Sequence, residues 1–96
     1  MQGITSIGWY VPAYRLDRAA IGAALHIAAG RGARAVACYD EDATTMAVEA
    51  VRAIATDWER PSTIWMATTR PTYLERSNAS VIASAFGLDD AGAYDV

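Results

Sequence analysis

The chain has 96 residues, a formal net charge of −3 and a pI of about 4.9; 53% of its residues are hydrophobic and 20% are charged. This composition is typical of one small globular domain and argues against a disordered chain. All eight basic residues are arginines, and they do not cluster into a basic stripe, which argues against nucleic-acid binding. No apolar run is long enough to cross a membrane. A single cysteine allows no internal disulfide. With no recognisable secretory leader, we expect a cytoplasmic protein.

The first predicted elements are a strand and a helix. Residues 3–11 read as a strand in which Ile7, Trp9 and Val11 share one face. Asp17 can cap a helix that begins near residue 18 and runs to residue 29. Residues 30–38 then form a loop or a short extended piece, because two glycines break the helix.

The second predicted helix begins at the acidic residues 40–42, which complement the positive end of a helix dipole. Apolar residues then recur at three- and four-residue steps for about four turns, as far as Trp58. Pro61 closes the element.

The segment over residues 63–86 predicts the clearest architecture. Residues 64–67 form an unbroken apolar run that fits a strand buried on both faces. The polar loop over residues 70–76 follows at the carboxyl end of that strand, where open α/β sheets bind their ligands. Ser77 or Asn78 can cap the next helix, Gly87 can end it in a left-handed conformation, and Leu88 can fold back onto its last turn. Residues 93–96 read as a further strand.

These elements predict an α/β fold of the order β-α-α-β-α-β, with a mainly parallel sheet of at most three strands flanked by helices. Such a sheet and two apolar helix faces need more cover than 96 residues supply. We therefore expect a large exposed apolar surface and a partner, either a further copy or the remainder of a larger fold.

Three segments carry a family resemblance: GITSIGWYVPAYRLDRAAI, YDEDATTMAVEAVR and ATTRPTYLERSNASVIASAFGL. In this order and spacing the chain resembles the start of a thiolase-superfamily condensing enzyme. It is most similar to 3-hydroxy-3-methylglutaryl-CoA synthase-like proteins and next to 3-ketoacyl-acyl-carrier-protein synthase III. The resemblance implies that residues 1–96 are the N-terminal portion of a βαβαβαββ half-domain, ending before the helix that carries the nucleophile. Complete enzymes of the family have two such halves and dimerise.

The resemblance also implies a chemistry, a condensation of acyl-CoA or acyl-carrier-protein thioesters through an acylated cysteine, without a further cofactor. The family's nucleophile would follow the last predicted strand, so we expect no catalytic residue in this chain and no activity from it alone. Thr69 stands where the synthase branch has a catalytic glutamate, and this resembles the ketoacyl-synthase pattern.

Five residues are candidates for contacts with substrate or partner. Arg31 and Arg34 would reach the CoA phosphates if the resemblance holds, and otherwise belong to a solvated loop. Arg70, Tyr73 and Leu74 resemble the family loop that reaches the partner's active site, although local packing explains Tyr73 and Leu74 equally well.

Other reactive side chains have structural interpretations that we favour. We interpret Cys38 as a buried or half-buried thiol, not the nucleophile, and His26 as a surface or core histidine, not a base. The acidic residues 40–42 suggest helix capping and no metal site.

Two further functions stay open. The chain could be a non-catalytic subunit that completes a thiolase-like oligomer through its open sheet edge. The larger enzyme of which these residues would be part could also be a thiolase-like retro-aldolase acting on a steroid side chain.

Overall fold

The structure is a computed structural model that describes residues 2–56 and 58–96. Its elements are, in order, β1 (Tyr14–Asp17), α1 (Arg18–Leu25), β2 (Ala33–Val36), α2 (Ala43–Arg52), β3 (Thr63–Met66), α3 (Asn78–Ala85) and β4 (Gly92–Asp95). They form two compact units. The small unit is Val11–Glu41, and the large unit consists of the described residues of Met1–Tyr10 and Asp42–Val96.

The small unit is an antiparallel strand pair with a helix between its strands. Tyr14 pairs with Val36 and Asp17 with Ala33. Asp17 caps α1, as predicted, because its carboxylate accepts a hydrogen bond from the Ala19 N–H at 3.0 Å.

The predicted extension of α1 to residue 29 is wrong, because the helix ends at Leu25. His26 takes a left-handed conformation with φ 53°, and the chain folds back over Gly22. A Cβ atom on Gly22 would lie 2.6 Å from the Ala29 Cβ and 3.0 Å from the Ile27 carbonyl oxygen. The missing side chain of this mid-helix glycine therefore makes room for the returning chain.

The predicted strand over residues 3–11 is also wrong, because no residue of that stretch belongs to a strand and the first strand begins after Pro12. The segment passes against α2: a Cβ atom on Gly8 would overlap the carbonyl oxygen of Ala50 and lie 3.0 Å from Ile54 Cγ2. Apolar alternation does not make a strand when no ladder partner lies beside it.

The helix α2 starts immediately after the acidic residues and is shorter than predicted. Asp42 and Thr45 form a capping box, in which Asp42 Oδ1 accepts the Thr45 N–H and Thr45 Oγ1 accepts the Asp42 N–H, both at 2.8 Å. The helix ends at Arg52, where the Ile54 N–H bonds the Val51 carbonyl and tightens the last turn. The predicted helix crosses residue 57, which lies outside the described residues. Trp58 packs edge-on against Phe86, with ring centroids 5.7 Å apart.

In the large unit, β3 and β4 form a parallel pair, as predicted, in which Trp65 stands beside Tyr94 and Met66 beside Asp95. Paired residues point to the same face of a sheet. The face of Met66 and Asp95 is the one packed against α3, because Asp95 bonds to the start of that helix. On the other face Trp65 is 67% exposed and stacks on Tyr94 at 4.8 Å.

This arrangement corrects two expectations about the sheet. The strand β3 is covered on one face, not two. The strands that the structure describes form two two-stranded sheets instead of one three-stranded sheet, and one of the two is antiparallel. The α/β class and the parallel pairing around the central strand are confirmed.

The hydrophobic core among the described residues is small, and α3 provides most of it. The buried apolar side chains of this core are Ala79, Ile82, Ala83 and Leu88. The end of α3 follows the prediction, because Gly87 has φ 65° and the Leu88 N–H bonds the Ala83 carbonyl at 2.9 Å. Within residues 2–56 and 58–96, none of the helices combines the length and apolarity that crossing a membrane requires.

Candidate functional site

The candidate site lies at the carboxyl ends of β3 and β4, and Asn78 organises it. This side chain is 1% exposed. Its Oδ1 atom accepts hydrogen bonds from the Tyr73 N–H and from Thr44 Oγ1, both at 3.0 Å. Its Nδ2 atom donates to the Tyr73 carbonyl at 3.1 Å and to Asp95 Oδ2 at 2.9 Å. Asn78 therefore holds both backbone groups of Tyr73 and fixes the loop that follows β3.

Asp95, at the end of β4, accepts hydrogen bonds from the first N–H groups of α3. Its Oδ2 atom accepts the Asn78 N–H and its Oδ1 atom accepts the Ala79 N–H, both at 2.8 Å. The bonds from Ala79 and Asn78 hold the pKa of the Asp95 carboxyl below its ordinary value, because they stabilise the charged form. The carboxylate thus satisfies helix N–H groups that the cap leaves open; of the two predicted caps, Ser77 and Asn78, the structure selects Ser77.

A cavity of about 200 Å³ opens beside this network. Its walls include Thr68, Leu74, Arg76 and both residues of the Asn78–Asp95 pair. The Arg76 guanidinium lies over the Tyr73 ring, 5.4 Å from the ring centroid. The cavity therefore combines an apolar wall with one guanidinium and one carboxylate, at the carboxyl ends of the strands, where α/β folds bind ligands.

Only some of the loop residues predicted from the sequence line this cavity. Tyr73 and Leu74 line the cavity, and Leu74 is 91% exposed. Thr69 and Arg70 are exposed and are not among the lining residues. The Arg70 N–H instead donates to Thr68 Oγ1 at 3.1 Å and shapes the turn. Thr68, which sequence reasoning passed over, is the threonine that lines the cavity.

A second cavity, of about 250 Å³, lies in the small unit. Arg34 lines it together with Arg18, whereas Arg31 does not. Ile21 and Ile27 contribute the apolar wall. Two arginines beside an apolar wall suit an anion with an apolar portion.

Arg18 is the residue that the sequence analysis missed. It is far from Arg34 in the chain, and the antiparallel pairing of β1 with β2 brings the two together. The Arg18 N–H bonds the Gly32 carbonyl at 2.9 Å, which ties the start of α1 to the start of β2. Finding this pair from the sequence would have required a prediction that β1 and β2 pair across the intervening helix.

Cys38 lies half-buried in a turn with two acidic neighbours. Its N–H donates to Glu41 Oε1 at 2.8 Å, and its carbonyl accepts the Glu41 N–H at 3.0 Å. The Cys38 Sγ atom and a carboxylate oxygen of each of Asp40 and Glu41 lie within 4.8 Å of one another. The turn itself accounts for this proximity. His26 lies exposed at the end of α1.

The third acidic residue, Asp42, caps α2. The hydrogen bond from the Thr45 N–H holds the pKa of Asp42 below its ordinary value against a smaller opposing effect of burial. Capping, the interpretation favoured from the sequence, is therefore what this residue does.

A comparison with known proteins identifies the fold. A solved structure of 3-oxoacyl-(acyl-carrier-protein) synthase III superposes on 97% of this chain with a TM-score of 0.80 at 23% sequence identity. The chain spans about a third of that protein's length, since the match covers 32% of it. No protein-family model and no curated protein sequence matches the chain. At this level of identity the likeness shows the fold, and the predicted thiolase-like fold is confirmed.

Proposed function

We propose that this chain is part of a thiolase-fold acyltransferase that condenses acyl-CoA or acyl-carrier-protein thioesters through an acyl-cysteine, and that residues 1–96 do not catalyse the reaction alone. The observation that carries the proposal is the fold likeness to 3-oxoacyl-(acyl-carrier-protein) synthase III over 97% of the chain. The threonines of the loop after β3 favour the ketoacyl-synthase type of reaction over the hydroxymethylglutaryl-CoA type. Thr69 stands where the latter branch has its acidic residue.

The surroundings of its one cysteine support the proposed inactivity of the isolated chain. A nucleophilic thiolate needs a helix N-terminus or a basic neighbour. Cys38 has the carboxylates of Asp40 and Glu41 beside it instead. A cysteine that accepts the acyl group is therefore proposed to come from polypeptide other than residues 1–96.

The cavity lined by Arg18 and Arg34 is the proposed contact for CoA phosphates. A guanidinium binds phosphate through charge-assisted hydrogen bonds, each of which contributes about 1.5–3 kcal/mol. The apolar wall of Ile21 and Ile27 would take the uncharged part of the ligand. Arg31, the other sequence candidate, is exposed outside this cavity and offers a matched control.

Binding of CoA tests this contact directly. Isothermal titration calorimetry would compare CoA and dephospho-CoA on the wild type, Arg18→Ala, Arg34→Ala and Arg31→Ala. We expect about tenfold or greater loss of affinity for the first two variants and a change below threefold for the third. Equal losses in all three variants, or no CoA binding by the wild type, would contradict the assignment of the cavity.

The proposed condensing activity of the larger enzyme is tested separately. Intact mass spectrometry of the native protein should give a polypeptide longer than 96 residues or a tight complex with a second chain. Incubation of the 96-residue chain with acetyl-CoA should leave Cys38 unacylated. A native product of 96 residues that turns over thioesters would refute the proposed function, even if the arginine cavity binds CoA.

An interaction subunit without catalytic activity is the second candidate. The observation that favours it is the open sheet face on which Trp65, 67% exposed, stacks against Tyr94. Such a subunit would associate and bind an apolar dye when alone. Size-exclusion chromatography that shows a monomer, together with no dye binding, would remove this candidate.

A further inference from the structure

We draw no further inference here: the strongest candidate, the open face of the β3–β4 sheet on which Trp65 stacks against Tyr94, is an unpartnered apolar surface, and nothing in the structure shows what covers it.

Discussion

Asp95 Oδ2 lies 2.8 Å from the backbone nitrogen of Asn78 and 2.9 Å from its side-chain nitrogen, so one carboxylate oxygen at the end of β4 holds two groups of the first residue of α3. The same Asn78 bonds both backbone groups of Tyr73 and the hydroxyl of Thr44. The strand end, the helix start and the candidate-site loop are therefore joined through one buried amide. The geometry of the cavity beside them depends on that amide.

The first prediction concerns the pH dependence that Asp95 contributes. Its pKa is lower in the folded protein than in the unfolded chain, because the N–H groups of Ala79 and Asn78 bond the charged form. The stabilisation is therefore present above about pH 4 and is lost as the pH falls through the folded pKa. Urea unfolding at pH 7 and at pH 3 should show that Asp95→Asn lowers stability at pH 7 and weakens the acid dependence.

The control for this prediction is Asp90→Asn, a change at an exposed acidic residue outside the network. It should alter the acid dependence much less than Asp95→Asn does. The pKa of Asp42 is also lowered by a helix N–H group, so Asp42 likewise contributes stability that is lost in acid. Either variant will therefore keep part of the acid dependence. Identical pH profiles for wild type and Asp95→Asn would show that the carboxylate contributes nothing to folding.

The second prediction concerns Asn78. Replacement by alanine leaves the Tyr73 N–H and carbonyl, and the Thr44 hydroxyl, without the partner they have now. Loss of buried hydrogen-bond partners costs about 1–3 kcal/mol for each group left unsatisfied, so Asn78→Ala should lower the free energy of unfolding by at least about 2 kcal/mol. Chemical denaturation measures this loss, and hydrogen exchange at the Tyr73 amide should become faster.

Ser80→Ala is the matched control for Asn78→Ala. Ser80 lies exposed two residues further along α3, and its backbone N–H keeps its bond to Ser77 Oγ. This variant should stay within about 0.5 kcal/mol of the wild type. If the two variants lose similar stability, Asn78 is not the organising residue of the site.

The third prediction concerns Gly22, where the returning chain occupies the space that a side chain would fill. In an exposed helix an alanine would be favoured over glycine by about 1 kcal/mol. Here the added Cβ would meet the Ala29 Cβ at 2.6 Å. Gly22→Ala should therefore destabilise the small unit by about 1–3 kcal/mol, measured as lost hydrogen-exchange protection in β1 and β2.

Gly3→Ala serves as the comparison for Gly22→Ala, because a Cβ atom at Gly3 meets nothing within 4 Å. Its effect on exchange in the small unit should be negligible. A stabilising effect of Gly22→Ala would mean that α1 continues in solution past Leu25, as the hydrophobic pattern predicted.

The fourth prediction uses the two left-handed helix ends. His26 has φ 53° at the end of α1, and Gly87 has φ 65° at the end of α3. A non-glycine residue in this conformation costs about 1 kcal/mol. His26→Gly should therefore raise, and Gly87→Ala lower, the free energy of unfolding by about that amount in thermal or urea denaturation. Changes of the same sign in both variants would contradict the assigned conformations.

Much of the large unit was predictable because its signals are local. The apolar run at residues 64–67 identified β3, and the capping residues Ser77 and Asn78 placed the start of α3 to within one residue. Gly87 and Leu88 gave the end of that helix, since a left-handed glycine followed by an apolar residue needs only neighbouring atoms to form. The capping role of Asp42 could be read for the same reason.

The candidate site was predictable only in outline. The position of the loop after β3 follows from chain order, and Tyr73 and Leu74 do line the cavity. The lining role of Thr68 instead of Thr69, and the exclusion of Arg70, depend on a turn closed by a hydrogen bond between Arg70 and Thr68. A one-residue difference of this kind does not show in composition or periodicity.

The sequence by itself therefore determined the α/β class, the parallel β3–β4 pair with its intervening helix, the Asp17 cap of α1 and the acidic start of α2. It narrowed the cap of α3 to Ser77 or Asn78. The tertiary structure alone decided that residues 3–11 form no strand, that α1 stops at Leu25, and that Arg18 joins Arg34. It alone also decided that Asn78 and Asp95 meet. The physical reason is that a strand, a cavity and a buried amide each need partners distant in the chain, whereas a cap or a helix stop is completed by atoms within a few residues.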